Sequence, residues 1–491
     1  MRAKIAFMLL AFGPLCSQGR EQEGPMPESP PNVASSQIYI THVTVIDTET
    51  GKEAKDHTVV ISGERISEVR DSKDVGAPAA ASVMDGTGKY LIPGLWDMHV
   101  HALWAPRIDS WMPLLVANGV LGIRDMGSPM KLADVNRLRQ EIAEGKQPGP
   151  RIVATGSIVD GRKGMTYPRS EFFIEVKTPE EGRDIVRSKK ATGSDFVKVY
   201  SWLARDVYFA IGDEAKKQDI PFAGHVPFSV PVTEASDAGQ KSMEHLHGVL
   251  LACSSREDEL RGEMLKRSAD LTYAETLRFE AYEPIASYSE EKAAKVFAHL
   301  AKNGTWQVPT FAIYSRDKLP SDSAFFKDNR LKYIPPSIQQ KWREIVKEQI
   351  GTPAEVQEFN KAFAKMLEIL DKMHKAGIPV LAGTDVGWYN AYSYPGFELH
   401  YELQLLVRAG LTPLEALQTA TLNSARFLGK TKDLGTIAKG KLADMVLLTA
   451  NPLEDIRNTE KIDAVFVNGR LLTRRDLDAL LAQAETAVKD K

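Results

Sequence analysis

LIPGLWDMHVH, residues 91–101, is an apolar run that ends in a pair of histidines, His99 and His101. A short apolar run of this kind is consistent with a buried strand. Side chains two apart on a strand point to the same side, so both imidazoles can reach one metal ion. Two incidental histidines at a strand end are the alternative, and the remaining candidate ligands decide between the two interpretations.

The middle of the chain alternates strand-like apolar runs with amphipathic helical stretches, which predicts βα units and a parallel sheet. Eight such runs are present, the number that a (β/α)₈ barrel requires. They are 90–96, 120–125, 151–155, 196–200, 221–225, 242–245, 306–311 and 380–384. The predicted fold class is therefore α/β, with a TIM-type barrel as the main domain.

Short alternating runs at both ends of the chain, within 37–80 and 444–469, predict strands separated by turns. Neither set is large enough for a stable sheet alone, so we expect one small β-sandwich built from both chain ends. The predicted organisation is a signal peptide at 1–17, a disordered tether at 18–36, β-sandwich parts at 37–90 and 431–475, a barrel at 91–430 and a C-terminal helix at 476–491.

The composition excludes several classes of protein. The 491 residues include 62 Lys and Arg against 65 Asp and Glu, a net charge of -3, so no basic field is available to hold nucleic acid. With 43% hydrophobic and 26% charged residues, the chain is typical of a globular protein and not of a disordered one. Two cysteines, Cys16 and Cys253, provide no disulfide framework.

The N-terminus predicts export. A charged start at residues 1–4 precedes an apolar run at 5–12 and a turn, the pattern of a secretory signal, and the Pro- and Glu-rich stretch that follows is typical of a tether. We expect a periplasmic or extracellular protein. Lipid anchoring at Cys16 is an alternative, although Leu15 stands where a lipobox has a small residue.

More candidate ligands end other predicted strands. His225, His245 and Asp385 each close one, and strand ends converge at one mouth of a barrel. Lys198 lies inside an apolar strand, where an ammonium group is costly. It either extends its amine to solvent or loses its proton and reacts with carbon dioxide, giving a carbamate that can bridge two cations.

The motifs around these residues resemble those of the amidohydrolase superfamily of metal-dependent hydrolases. They are PGLWDMHVH at 93–101, Lys198, Glu244 with His245, and GTD at 383–385, similar to barrel strands 1, 4, 6 and 8, with His225 from strand 5. The resemblance continues in NSARFLG at 423–429 and GTIAKGKLAD at 435–444, and covers most of residues 38–475. Imidazolonepropionase-like proteins and prolidase-like binuclear dipeptidases are the most similar branch.

The resemblance implies two divalent metal ions. His99, His101 and Asp385 would hold one, His225 and His245 the other, and carboxylated Lys198 would bridge both. It also implies a hydroxide between the cations as the nucleophile and Asp385 as the catalytic proton carrier. Nitrogen and oxygen ligands without thiolate favour zinc, with manganese, iron and cobalt as alternatives.

Three neighbours are candidate substrate-binding residues: Tyr200, two positions after Lys198, His247, two after His245, and Arg124. For Arg124 we also consider a structural ion pair with Asp125. The dipeptidases often carry a tyrosine two residues after the strand 5 histidine, where this chain has Pro227. Trp96, Trp104 and Trp388 could line an apolar pocket, which favours a bulky apolar substrate group.

The predicted function is that of an exported metal-dependent hydrolase that cleaves an amide C–N bond in a dipeptide or N-acyl amino acid. A mononuclear deaminase or cyclic-amide hydrolase of the same superfamily is the nearest alternative, and it would not need Lys198. A catalytically silent envelope binding protein is an alternative of another class. We expect a small-molecule substrate, no nucleic acid, membrane contact only through the N-terminus, and a chain compatible with homo-oligomers.

The segment 315–373 is longer than a usual βα connection and carries YIPP at 333–336 and two charged helical stretches. It follows the seventh predicted strand and so leaves the barrel at the active-site face. Long loops at this face often act as lids. We predict that this insertion covers the metal site.

Overall fold

The computed structural model describes residues 37–79, 81–161, 172–246, 248–267 and 278–489. The predicted signal peptide and tether, at 1–36, and the candidate residue His247 lie outside these ranges. None of the helices in the described ranges is long and apolar enough to cross a membrane.

Strands from both chain ends pair in one mixed sheet of eight strands. Its strands are β1 (Ile38–Ile46), β2 (Glu53–Ser62), β3 (Arg65–Asp71), β4 (Ser82–Asp85), β5 (Tyr90–Pro93), β15 (Met445–Leu448), β16 (Ile462–Val467) and β17 (Arg470–Thr473). β15 joins the two ends, since it pairs antiparallel with β5 on one side and with β16 on the other. The sandwich form and the domain boundaries stay predictions.

The other described strands are parallel and form two sheets. The first contains β6 (Leu95–Val100), β7 (Val120–Asp125) and β8 (Arg151–Ala154). The second has the order β10 (Phe173–Glu175), β9 (Ile158–Asp160), β11 (Val197–Val199), β12 (Phe222–Gly224), β13 (Ser242–Glu244) and β14 (Trp306–Val308). The expected strand at 90–96 divides at Gly94, so β5 belongs to the mixed sheet and β6 to the parallel one.

The prediction of an α/β protein is confirmed, but no continuous closed barrel of eight hydrogen-bonded strands forms in the described residues. The expected eighth strand, 380–384, is irregular and touches its neighbours through isolated parallel bridges, Gln307 with Val380 and Val100 with Val386. Its backbone instead folds over the end of β6, where the amides of Thr384 and Asp385 both donate to the His99 carbonyl, at 3.2 and 2.7 Å.

Helices surround the parallel strands. They are α1 (Ile108–Ala117), α2 (Leu132–Glu144), α3 (Pro179–Ala191), α4 (Arg205–Lys217), α5 (Val232–Asp237), α6 (Val249–Ala252), α7 (Glu257–Lys266), α8 (Glu283–Ala286), α9 (Glu290–Asn303), α10 (Phe311–Tyr314), α11 (Pro336–Gln349), α12 (Pro353–Lys375), α13 (Phe397–Arg408), α14 (Pro413–Thr419), α15 (Leu422–Phe427) and α16 (Arg474–Ala487). Most of these helices pack their apolar faces with the strands into one large core, which fixes the strand ends that carry the site.

The long segment 315–373 has two parts with different roles. α12 buries Phe359, Phe363 and Met366 in the main core and thus belongs to the helical layer. α11 instead packs on residues 391–394, in a cluster centred on the fully buried Trp342. Only the part before α12 is therefore an insertion, and it contacts the loop that follows Asp385.

Candidate metal centre

The six predicted ligands are all buried and lie at or near the carboxyl ends of parallel strands. His99 is in β6 with His101 just beyond it, Lys198 is in β11, and His225 and His245 directly follow β12 and β13. Asp385 lies in the irregular segment that closes the same end. His245 and Asp385 have φ angles of 64° and 53°, a left-handed conformation that costs a non-glycine residue free energy and is common at functional sites.

Three of these residues form a cluster that could hold a metal ion. Asp385 Oδ1 lies 3.3 Å from His99 Nε2 and 3.0 Å from His101 Nε2. One ligand atom from each of the three lies within 4.8 Å of the others. Burial alone would raise the pKa of Asp385, but the contacts with His99 and His101 hold it well below its usual range. An ionised carboxylate between two imidazoles is a suitable cation site.

The other two histidines continue from this cluster. The ring centroid of His245 lies 4.7 Å from that of His99 and 4.8 Å from that of His225. His99 and His101 are 5.5 Å apart by the same measure. The four imidazoles therefore form an unbroken series across the mouth of the parallel strands, as two adjacent metal sites would require.

Lys198 is fully buried, and its Nζ has no hydrogen-bond partner in the described part of the chain. Burial lowers its pKa to about 8, although Glu244 and Asp385 act in the opposite direction. The alternative of a lysine extended to solvent is therefore wrong. A buried amine that loses its proton readily is suited to carbamate formation.

Three buried atoms without a hydrogen bond indicate whether metal ions fit here. Among the described residues, His99 Nε2, Asp385 Oδ1 and Lys198 Nζ are buried without a hydrogen bond. Buried polar atoms are normally paired, and such exceptions indicate a missing ion or a catalytic role. The donor set of imidazoles, a carboxylate and a reactive amine thus fits divalent cations.

Each histidine is held through its Nδ1. The partners are Glu244 Oε2 for His99 (2.9 Å), the Gly127 carbonyl for His101 (2.5 Å), Ser201 Oγ for His225 (2.8 Å) and Thr310 Oγ1 for His245 (2.7 Å). Such contacts fix the ring orientation and the tautomer of metal-binding histidines. With Nδ1 engaged, Nε2 is the ligand atom that each ring offers to the centre.

Arg124 lies beneath the centre, and its expected ion pair with Asp125 does not form. Adjacent residues of a strand point to opposite faces, which separates the two side chains. The Arg124 guanidinium instead donates to Glu244 at 3.1 Å, to Ser242 Oγ at 2.9 Å and to the Met98 carbonyl at 2.6 Å. These contacts favour the structural alternative, with Glu244 as the partner, over a substrate contact.

Asp385 is further positioned by two residues that sequence reasoning missed. Asn390 Nδ2 donates to Asp385 Oδ2 at 3.1 Å and to its carbonyl at 2.5 Å. Asp97 accepts from the amide and the hydroxyl of Thr384, at 3.0 and 2.6 Å. The sequence could have indicated Asp97, because it lies on the same strand face as His99 and His101 in the motif DMHVH.

Tyr200 lies against the centre, as its spacing from Lys198 predicts. Its ring stacks on that of His225, with centroids 3.9 Å apart and planes 28° apart, and Lys198 Nζ is 5.9 Å from the Tyr200 centroid. The ring of Phe173 is a further neighbour, with its centroid 5.2 Å from that of Tyr200. The hydroxyl therefore belongs to a ring that is fixed beside two predicted ligands.

Two of the three tryptophans lie near the site. The rings of Trp104 and Trp388 are 5.6 Å apart, and Tyr389 connects them to the centre, 5.9 Å from Trp388 and 5.4 Å from His101. We call Trp104, Trp388 and Tyr389 the aromatic wall. Trp96 is not part of it, because its indole is buried against Gly122, where a Cβ would lie 2.1 Å from the ring.

Comparison with known proteins adds a family and named relatives. Residues 90–472 match the model of the Amidohydrolase family. An imidazolonepropionase of Deinococcus deserti is 41% identical over 78% of this chain and 83% of its own length. An ochratoxinase of Aspergillus niger is 23% identical over 88% of this chain and 85% of its own. A Xaa-Pro dipeptidase crystallised with bound methionine has a similar fold, with a TM-score of 0.61, 19% identity and coverage of 89% of this chain and 100% of that one.

Proposed function

This chain belongs to the amidohydrolase family and is a hydrolase acting on C–N bonds, and we propose that it is an exported binuclear enzyme that cleaves the amide of a dipeptide or N-acyl amino acid. One observation carries the proposal. Four imidazoles, a carboxylate and an unpaired buried lysine converge at one end of the parallel strands.

We assign the candidate ligands to two neighbouring cation sites. His99, His101 and Asp385 would hold one divalent ion, His225 and His245 the other, and Lys198, as a carbamate formed with carbon dioxide, would contribute one oxygen to each. We propose zinc as the metal, because the ligands are nitrogen and oxygen atoms. When bound, the pair of cations would lower the pKa of water and withdraw electrons from the substrate carbonyl.

Asp385 is the proton carrier in this proposal. Its carboxylate is ionised, so it can accept the proton of the attacking water. Asn390 holds the other carboxylate oxygen and so limits its rotation. As the C–N bond breaks, the proton passes to the leaving nitrogen. One water is consumed, and a carboxylic acid and an amine are released.

Pro227 stands where the dipeptidases that this chain resembles often have a tyrosine, and it has no side-chain donor. Another residue must therefore donate a hydrogen bond to the carbonyl oxygen of the substrate. We assign this role to Tyr200, whose ring is fixed by its stack on His225. A phenol held beside the reacting carbonyl stabilises negative charge that develops on the oxygen. His247 stays a candidate from the sequence.

A mononuclear cyclic-amide hydrolase is the second candidate. The similarity to an imidazolonepropionase over most of the chain favours it. Such an enzyme would use the histidines and Asp385 and would leave Lys198 without a role. The burial of Lys198 among the ligands favours the binuclear proposal.

Export is the part of the proposal that rests on the sequence of residues 1–17 alone. Expression of the full chain, followed by fractionation and N-terminal sequencing, tests it. We expect a processed protein outside the cytoplasm. An unprocessed cytoplasmic protein would contradict it.

Kinetic screening of metal-reconstituted protein tests the reaction. The panel contains dipeptides, N-acyl amino acids, cyclic amides and aminated purines or pyrimidines. We expect the highest kcat/KM on a linear amide with a bulky apolar group. Best activity on a cyclic amide, or release of ammonia from a base, would contradict the proposal in favour of the second candidate.

A further inference from the structure

The loop that follows His101 carries an arginine that forms no ion pair among the described residues. Arg107 lies in the loop between β6 and α1, shortly after His101. The residue is only 7% exposed, yet within the described residues it forms no ion pair, and its Nε makes no hydrogen bond. Burial lowers the pKa of Arg107, and no negative group compensates. A buried guanidinium without an ion pair is costly, and buried polar groups normally have a hydrogen-bond partner.

The aromatic wall links Arg107 to the metal centre. Arg107 Cζ lies 5.2 Å from the ring centroid of Trp104, which packs on Trp388, and Tyr389 then leads to His101. Trp388 and Tyr389 also belong to the loop that carries Asp385 and Asn390. A substrate that reaches from the reacting atoms to Arg107 would therefore lie along aromatic faces.

A second cation flanks the same rings. Lys341, an exposed residue of α11, has its Nζ 5.1 Å from the Trp388 centroid. Like Arg107, it forms no ion pair within the described ranges. Two cations beside one pair of indoles favour the binding of an anionic group there.

We propose that Arg107 is a specificity residue that binds a carboxylate of the substrate, with the aromatic wall packed against the apolar segment between that carboxylate and the scissile amide. This inference rests on the proposed function and narrows its substrate class to amides with a remote acidic group. The guanidinium can hold a carboxylate through two parallel hydrogen bonds, which would repay the cost of its burial. The rings of Trp104 and Trp388 lie between Arg107 and Tyr389. The carboxylate that Arg107 binds is therefore not the one on the carbon atom bonded to the amide nitrogen.

Matched substrates test the inference. The probes are ω-(4-carboxyphenyl)alkanoyl amides of increasing chain length, made with the amine of the best screened substrate, and their neutral methyl esters. For the wild-type enzyme we expect kcat/KM to favour the acid over its ester by about tenfold or more at one chain length. Arg107→Gln should remove that preference by raising KM for the acid. The kcat/KM for the ester should stay within about threefold of the wild-type value. Arg107→Lys should retain part of the preference.

Arg205 provides the control. Its guanidinium also lies over an aromatic ring, Phe209, at 4.9 Å, but it is paired with Glu234. Arg205→Gln should leave the preference for the acid unchanged. Wild-type enzyme without a preference at any chain length, or an equal loss on acid and ester in Arg107→Gln, would overturn the inference while amide hydrolysis persists. Failure to hydrolyse any amide would overturn the proposed function as well.

Discussion

Nδ1 of His99 and Oε2 of Glu244 lie 2.9 Å apart, and both side chains are fully buried. Burial alone would raise the pKa of Glu244, but Arg124 and His99 hold it at about 2, so the carboxylate is ionised. With Nδ1 as the donor, Nε2 of His99 is the atom that faces Asp385. The orientation of this ligand is therefore set from beneath the centre, by groups that touch no substrate.

Glu244→Gln should weaken metal binding without unfolding the protein. The amide keeps the shape of the carboxylate but loses the charge that fixes the His99 tautomer, and such outer contacts contribute about 10- to 100-fold to metal affinity. Titration against a chelator measures the effect. Ser242→Ala removes a neutral donor to Glu244 and an acceptor for Arg124 but leaves the charge of Glu244 in place, so it should have a smaller effect. Equal affinities in Glu244→Gln and wild type would contradict this role.

Tyr200→Phe separates the two possible contributions of Tyr200. It keeps the ring on His225 and removes only the hydroxyl, so we expect kcat to fall about 100-fold if the phenol stabilises the oxyanion. Tyr200→Leu also removes the stack and should lower metal content as well. Steady-state kinetics with metal analysis distinguishes them. Wild-type turnover in Tyr200→Phe would remove the hydroxyl from the mechanism.

Substitution of Trp342 tests the prediction that the insertion before α12 covers the metal site. Its Nε1 donates to the Trp388 carbonyl at 2.6 Å, and its ring packs on Tyr392, so α11 holds the loop that carries Asn390. Trp342→Phe keeps most of the packing and removes the hydrogen bond. We expect KM to rise about threefold to tenfold with unchanged metal content. Trp306→Phe, at the opposite end of the parallel strands, is the control, and equal kinetics in both variants would show that α11 is peripheral.

Glu402 should make stability depend on pH. It is fully buried, accepts hydrogen bonds from the amides of Phe311 and Ala312, and burial raises its pKa from 4.5 to about 8. Between those values the folded state holds a proton that the unfolded chain has lost, so its contribution to stability falls as pH rises through this window. Urea unfolding at pH 5, 6.5 and 8 measures the free energy of unfolding. We expect it to decline less with rising pH in Glu402→Gln than in the wild-type protein. Parallel declines in both proteins would contradict the assignment.

The sequence predicted which strand ends carry the candidate ligands, because strand geometry is local. The period of two placed His99 and His101 on one face, and parallel strands brought the ends at His225 and His245 to the same mouth. The Nδ1 partners could not be read in this way. Thr310 supports His245 from 65 residues away, and Gly127 offers only a backbone carbonyl, which any residue has.

The segment after Val380 is a place where the structure differs from the sequence prediction. Its composition predicts a strand, but Gly383 lies against β6 so closely that a Cβ would be 2.7 Å from that of His99. Tertiary contact with His99 thus replaces strand pairing there. The unpaired Arg107 was also not predicted, since burial without a partner has no signature in sequence.

Metal content per chain, with and without Lys198, tests the central claim most directly. Protein purified and saturated with zinc should contain about two equivalents, and Lys198→Ala should lose at least one, because the carbamate would contribute a ligand to each ion. Circular dichroism of both proteins confirms that the comparison is between folded chains. About one equivalent at saturation, unchanged in Lys198→Ala, would contradict the binuclear account.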